Sequence, residues 1–206
     1  MTGTSTGIFV PGDRLARWVD NFRVRHGDTV LGVGDDALIG RASDGSTFAA
    51  RLPFDASYAG EPEALAFAAE LRCPDRWGVL LVRKGGFAVA RLREGTVEEH
   101  KTGQRHVQGR TKAGGQSQQR FARRRDNQAR QAYEAAAEHA ARILGGSGMP
   151  VVTGGDHAAV DEVLADVRLR GLVPVGPWLA VPDPRRAVLD QAVADATSVR
   201  IAVVNA

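Results

Sequence analysis

Residues 77–92 read WGVLLVRKGGFAVARL, and this stretch indicates what kind of sheet the 206-residue chain builds. Trp77–Arg83 is a hydrophobic run of strand length, Gly85-Gly86 is a hairpin turn signal, and residues 87–92 alternate as a second strand. Residues 96–101 predict a third strand. The middle of the chain is therefore predicted to form neighbouring strands joined by short turns.

Helices and strands alternate in the part of the chain that follows. The longest helix is predicted over residues 119–144, and Gly145-Gly146 supplies its stop signal. Its predicted buried stripe consists of Phe121, Ala129, Ala132, Ala136, Ala140 and Ile143. Further strands are predicted over 150–153, 172–175, 179–181 and 199–204, and further helices over 157–168 and 184–196. This alternation indicates an α/β fold, with a mixed β-sheet and flanking helices.

The first part of the chain has a different pattern. A helix is predicted over residues 13–25, and short strands follow over 29–33, 37–42 and 47–54, separated by turns that contain Asp and Gly. We therefore expect two parts. Residues 1–60 form an N-terminal accessory α+β module, and residues 61–206 form the larger domain.

The overall composition is that of a globular protein. A quarter of the residues are charged but the net charge is only +3, which excludes disorder of the whole chain. Cys73 is the single cysteine and cannot form an internal disulfide, which favours a reducing compartment. No apolar run reaches about 18 residues, and the first residues lack the basic and apolar pattern of a signal peptide. We expect a cytoplasmic protein with no membrane partner.

The positive charge is concentrated in one segment. Residues 101–130 contain nine Lys or Arg and one acidic residue, Asp126, a local net charge of +8. The rest of the chain contains 18 basic and 23 acidic residues, a net charge of −5. A basic segment on an otherwise acidic body is typical of proteins that bind polyanions such as RNA.

A loop over residues 102–119 is expected to carry the chemistry. It has four glycines and only one large apolar residue, Val107, so we expect it to be exposed and mobile. Gly114-Gly115 allows close approach of the backbone to a ligand, and an uncharged amide, Gln116, follows. Ser117 is the predicted cap of the following helix. Arginines in the first turns of that helix oppose its dipole, which favours a nearby phosphate.

The string Gly-Gly-Gln-Ser-x-x-Arg-Phe-Ala-Arg-x-Arg at residues 114–125 resembles the catalytic middle domain of eukaryotic and archaeal class I peptide-chain release factors. In the order of its elements the resemblance extends over about residues 75–204, and it is absent from residues 1–60. Among the relatives of those factors, the chain is most similar to the actinobacterial branch of the release-factor-like peptidyl-tRNA hydrolases.

The resemblance implies hydrolysis of the peptidyl-tRNA ester in the ribosomal peptidyl-transferase centre. Gly114, Gly115 and Gln116 match the motif of the family, and Gln118 ranks second because some bacterial relatives place the glutamine later. The implied RNA-binding residues are Arg110, Lys112, Arg120, Arg123, Arg124, Arg125 and Arg130. The implied partners are the large ribosomal subunit, peptidyl-tRNA and ribosomal RNA. The stop-codon-reading domain of those factors has no counterpart in residues 1–60, so codon-independent rescue is expected.

Two alternatives stay open at this point. A protein of the same family could cut the tRNA near its 3′ end, which would make it an endonuclease. A non-catalytic ribosome-associated or RNA-binding protein could use the same basic segment as an anchor. No Cys, His or carboxylate cluster has the spacing of metal ligands, so no metal and no cofactor are expected. The Gly154-Gly155-Asp156 motif before a helix is interpreted as a turn with an Asp cap.

Overall fold

The computed structural model describes the backbone of residues 6–104, 116–146 and 148–206, and the side chains of these residues except Thr6 and 116–129. The described strands, in chain order, are β1 Thr6–Val10, β2 Thr29–Gly34, β3 Ala37–Ala42, β4 Thr47–Arg51, β5 Arg76–Arg83, β6 Gly86–Arg93, β7 Thr96–Gln104, β8 Met149–Gly155, β9 Leu172–Leu179 and β10 Val199–Val204.

The described helices are fewer and vary widely in length. They are α1 Leu15–His26, α2 Ala64–Ala69, α3 Gln116–Leu144, α4 His157–Leu164 and α5 Arg186–Ala196. Short 3-10 turns precede α1 at Gly12–Arg14 and follow α4 at Val167–Leu169. Among the helical residues that are described, no stretch is both long and apolar enough to cross a membrane.

The chain divides into two compact units. The first contains residues 1–73 and 194–206, and the second contains residues 74–193. The boundary therefore differs from the one predicted after residue 60, and the first unit takes back the end of the chain. The reason is strand pairing, because β10 lies between β1 and β4 and completes their sheet.

The first unit is an antiparallel sheet with helices on one face. Its strand order is β1-β10-β4-β3-β2, and every neighbouring pair is antiparallel. The inner face of the sheet packs against α1 and α2 in one core, whose central side chains are Leu15, Val19, Phe22, Leu38, Phe48, Phe67, Val199 and Ile201. Phe67 belongs to this core, which explains why residues 61–73 join the first unit.

The second unit contains a mixed sheet, as predicted. Its order is β7-β6-β5-β8-β9; β7, β6 and β5 are antiparallel to one another, and β5, β8 and β9 run parallel. The hairpin predicted at Gly85-Gly86 is confirmed, with Arg83 paired to Gly86. The crossover from the antiparallel part to the parallel part runs through α3, which packs on β5 and β6. The α/β class with flanking helices is therefore confirmed.

The helix α3 approaches the sheet closely because its buried side is made of small residues. Ala136 and Ala140 are fully buried, as is Ile143 near the end of the helix. These residues and Ala132 confirm the second half of the predicted stripe, whereas the side chains of Phe121 and Ala129 lie outside the described residues.

Several boundaries differ from those predicted. The helix α3 begins at Gln116 rather than residue 119, and β7 runs to Gln104 rather than 101. Of the loop predicted over 102–119, only 105–115 remains, and that segment lies outside the described residues. Gly154-Gly155 is the end of β8 and not a turn, since the backbone of Gly154 pairs with Leu179 of β9. The two short strands predicted over 172–181 form the single strand β9.

Close backbone packing at Gly154 generates a stability prediction. A Cβ atom at this position would lie 2.3 Å from the Leu179 carbonyl oxygen, and a backbone atom cannot rotate away. We expect Gly154→Ala to lower the free energy of unfolding by about 1–3 kcal/mol. Urea unfolding followed by circular dichroism measures the change. In the same unit Gly95→Ala is the control, because nothing lies within 4 Å of a Cβ atom there. Equal stability of the two variants would contradict the packing described.

Candidate functional site

The segment that the sequence marks for chemistry lies between β7 and α3. Gly114 and Gly115, with Arg110 and Lys112, lie outside the described residues. Gln116 is the first residue of α3, so the backbone places the predicted amide at the N-terminal end of a 29-residue helix. Ser117 lies inside the helix, and its predicted role as the cap is therefore wrong.

The point at which the chain leaves β7 is fixed by two glycines. A Cβ atom on Gly86 would lie 2.5 Å from the Gly103 carbonyl oxygen, and one on Gly103 would lie 2.3 Å from Cε1 of Phe87. Neither position has room for a side chain, so the last residues of β7 lie tightly on the β5–β6 hairpin. The sequence predicted Gly86 as a turn residue but missed its partner Gly103. A glycine within a strand is the signal that would have found it.

Ion pairs hold the outer edge of this sheet. Glu98 of β7 accepts hydrogen bonds from Arg93 Nε at 2.8 Å and from Arg91 Nε at 3.1 Å. The hydrogen bond from Arg93, followed by that from Arg91, lowers the pKa of the Glu98 carboxyl. Glu98 therefore stays ionised well into the acidic range. Charged side chains on an edge strand also protect it from pairing with a second chain.

The C-terminal end of α3 is tied to the same strands. Arg91 Nη1 donates a hydrogen bond of 2.9 Å to the carbonyl oxygen of Ile143, in the last turn of the helix. A cation at this end is favoured by the helix dipole, and it satisfies a carbonyl that has no partner within the helix. Arg142 pairs with Glu99 of β7, and Arg91 Nη2 lies 3.4 Å from the same glutamate. The helix is therefore anchored by its C-terminal half.

The positions of the predicted residues on α3 follow from its regular backbone. An α-helix turns by about 100° per residue. Positions 116, 120, 123 and 124 therefore fall on the side of the helix that carries the exposed Glu134 and Glu138 further along the chain.

Two other predicted residues fall on the opposite side of α3. Positions 118 and 125 lie on the side that carries the buried Ala136 and Ile143. The helix thus separates Gln116 and three of the arginines from Gln118 and Arg125. Arg130, the last of the predicted RNA-binding residues, is exposed.

Two other polar groups near this sheet have partners within the protein. Asp156 stands at the N-cap position of α4, as predicted, and its Oδ1 lies 3.4 Å from Arg83 Nη2. His100 Nε2 lies 2.7 Å from Arg186 Nη1, and the ring nitrogen must accept because arginine only donates. Where side chains are described, no three of His, Cys, Asp and Glu cluster as metal ligands would.

Comparisons with known proteins place this arrangement among release factors. No curated protein sequence is significantly similar to the chain. The structure is similar to the Vms1 mitochondrial localization core, with a TM-score of 0.41 and 13% identity over 81% of this chain and 76% of that chain. It is also similar to Archaeoglobus fulgidus Pelota, with a TM-score of 0.27 and 14% identity over 93% of this chain and 64% of that chain. The chain therefore spans less than two thirds of the length of Pelota.

The family comparison covers the second unit almost completely. Residues 75–202 match the family described as Actinobacteria/chloroflexi VLRF1 release factor. The matched range begins one residue before β5 and ends within β10, so it contains the mixed sheet, α3 and the predicted motif. Because the match covers more than half of the 206 residues, the chain belongs to the Actinobacteria/chloroflexi VLRF1 release factor family.

Proposed function

We propose that this protein is a codon-independent peptidyl-tRNA hydrolase that releases nascent chains from stalled ribosomes or large ribosomal subunits. Membership of a release-factor family supports a function connected with the ribosome. The observation that carries the more specific proposal is the placement of Gln116. This amide follows Gly114-Gly115 in the sequence and is the first residue of a long helix that is anchored by its opposite end.

The proposed reaction is hydrolysis of the ester that joins the nascent chain to the terminal ribose of tRNA. The oxygen of a water molecule bonds to the ester carbonyl carbon, and the bond from that carbon to the ribose oxygen breaks. One water proton goes to the ribose oxygen, and the other leaves with the new carboxyl group. The products are a peptide with a free C-terminal carboxyl group and a tRNA with an intact terminal hydroxyl.

An amide suits this reaction for physical reasons. The backbone N–H and the side chain of Gln116 would orient the water and stabilise the negative oxygen that forms on the ester carbonyl. The amide does not titrate, so it needs no neighbouring group to adjust its pKa. The ribosome already holds the ester in place, and a small, well-positioned donor is then sufficient to accelerate its hydrolysis.

The geometry of α3 supports delivery of this amide into a narrow site. The described buried side chains of the helix begin at Ala132. Gln116 lies 16 residues before it, or about 24 Å along the axis at the α-helical rise. A single helix is about 10–12 Å across with its side chains, which is slim enough to enter a cleft between RNA segments.

The helix phase favours Gln116 over Gln118. Position 116 shares its side of α3 with positions 120, 123 and 124, so one RNA surface can meet the amide and the three arginines together. Position 118 lies on the other side. We therefore assign the catalytic role to Gln116 and keep Gln118 as the variant that tests the assignment.

The proposed partners are peptidyl-tRNA and the ribosomal RNA of the large subunit. Arg120, Arg123 and Arg124 would contact phosphates, with Arg110, Lys112, Arg125 and Arg130 contributing to the same electrostatic attraction. Such contacts give affinity and orientation rather than sequence specificity. A protein that acts on ribosomes in this way would work in the cytoplasm.

The catalytic assignment is tested by Gln116→Ala. We expect peptide release from peptidyl-tRNA on stalled large subunits to fall by about a hundredfold or more, because a donor to the developing oxyanion is lost. Co-sedimentation with large subunits should not change. Gln128→Ala in the same helix is the control for removing an amide. Release at the wild-type rate by Gln116→Ala, or loss of release only in Gln118→Ala, would contradict the assignment.

The proposed phosphate contacts are tested by the triple variant Arg120→Gln, Arg123→Gln and Arg124→Gln. We expect weaker binding to large subunits and a plot of log affinity against log salt that is less steep by about 2–3, close to one for each lost contact. The triple variant Arg23→Gln, Arg41→Gln and Arg200→Gln is the control, since it removes the same charge from the first unit. If both variants change the salt dependence equally, these arginines are not specific contacts.

A further inference from the structure

A groove in the first unit runs beside α1. One part of it has a volume of about 590 Å³ and is lined by Phe9, Val10, Pro11, Arg14, Arg17, Trp18 and Asn21. An adjoining part has a volume of about 260 Å³ and is lined by Ile8, Trp18, Asn21, Phe22, Arg25, His26, Val203 and Asn205. Trp18 and Asn21 belong to both parts, so the two are continuous along the helix.

Arginines follow this groove at helical spacing. Arg14, Arg17 and Arg25 are three and eight positions apart, and with Asn21 they form one stripe along α1. All three arginines are exposed, and no carboxylate in the described part of the chain lies within ion-pair distance of them. Neither lining contains an aspartate or a glutamate.

The other flank of α1 is different. Arg23 there pairs with Asp20 at 3.3 Å, which is the ordinary pattern of a solvated helix face. At the end of the helix, His26 Nδ1 lies 2.9 Å from Asp44 Oδ2, and the pKa of the Asp44 carboxyl is lowered by the Ser46 backbone N–H and then by His26. The described acids near α1 are therefore turned toward other partners, and the groove keeps an unbalanced positive charge.

Trp18 gives this groove a rigid aromatic floor. Its ring lies 5.7 Å from the ring of Phe22 in a stacked arrangement and 5.0 Å from that of Phe48 in an edge-to-face arrangement. Trp18 is nevertheless only partly buried, unlike Phe22 and Phe48. A fixed, partly exposed indole beside unpaired arginines matches the combination that binds single-stranded nucleic acid, in which bases stack and cations hold phosphates.

We propose that this groove is a binding site for a single-stranded segment of RNA. Arg14 and Arg25 are 11 positions apart, so the stripe extends roughly 16 Å along the helix. Phosphates of a duplex strand advance about 3.4 Å along the axis, so the stripe is long enough for several phosphates. The amides of Asn21 and Asn205 can hydrogen-bond to base edges beside them. This site lies outside the proposed catalytic segment and requires no hydrolase activity.

The test uses the full chain carrying Arg120→Gln, Arg123→Gln and Arg124→Gln, so that the arginines of α3 contribute less. The probe is a short fluorescein-labelled oligouridylate, and its affinity is measured by anisotropy over a range of salt concentrations. Adding Arg14→Gln, Arg17→Gln and Arg25→Gln should weaken binding at least tenfold and make the salt dependence less steep by about 2. Because these side chains are exposed, circular dichroism should show an unchanged fold.

The matched control adds Arg23→Gln, Arg41→Gln and Arg200→Gln to the same background. Arg41 and Arg200 lie on the face of the sheet opposite α1, and the charge removed is identical. Its affinity should stay within about threefold of the background protein. Ultraviolet cross-linking should join the uridines to the tryptic peptide Trp18–Arg23. Equal losses in the two variants, or cross-links only to other peptides, would overturn the proposal.

A polyglutamate peptide separates RNA from an acidic protein surface. We expect it to displace the oligouridylate far less effectively than unlabelled RNA does, because it offers no bases to stack on Trp18. Displacement at equal concentration would overturn the assignment to RNA. Failure of Gln116→Ala to affect peptide release would contradict the hydrolase alone and would leave this site standing.

Discussion

The packing of the C-terminal half of α3 on the mixed sheet is the constraint from which the proposed site follows. Ala136 and Ala140 bring the helix close to the sheet, and Arg91 holds its last turn through the Ile143 carbonyl. Since a helix is stiff over this length, the anchored end also sets the direction in which Gln116 is presented. The strand that leads toward the motif is equally constrained, because Gly86 and Gly103 leave no room for side chains.

Charge is distributed in this protein according to a simple division. The described arginines of the sheet in the second unit, such as Arg83, Arg91 and Arg93, are engaged by carboxylates and carbonyl groups of the chain itself. Arg14, Arg17 and Arg25 have no such partner in the part of the first unit that is described. Paired arginines stabilise local structure, whereas an exposed row without acids attracts a polyanion. On this account the protein holds RNA at two places, of which only one carries the chemistry.

Much of the second unit could be predicted from local patterns. The hydrophobic runs on either side of Gly85-Gly86 confirmed the hairpin, and the spacing of Ala132, Ala136, Ala140 and Ile143 confirmed the buried side of α3. Such patterns show which face of an element is buried but not which partner covers it. The pairing of β10 with β1 and β4 was missed for that reason.

The parts of the candidate site that were missed have a similar cause. Gly154 was predicted to be in a turn because glycine usually marks one, but here the neighbouring strand β9 comes too close for a side chain. Ser117 was predicted to cap the helix from its residue type alone, and the helix begins one residue earlier. The groove beside α1 could not be predicted, since it needs Ile8 and Val203 from opposite ends of the chain. The arginine spacing at 14, 17 and 25 was its only local signal.

The most direct test of the central claim is the fate of oxygen during release. Stalled large subunits carrying labelled peptidyl-tRNA are incubated with the protein in ¹⁸O-water, and both products are analysed by mass spectrometry. Ester hydrolysis predicts one ¹⁸O atom in the C-terminal carboxyl group of the peptide and a full-length tRNA that ends in its unmodified hydroxyl. A released peptide that still carries nucleotides, with a shortened tRNA, would contradict the account and identify a nuclease.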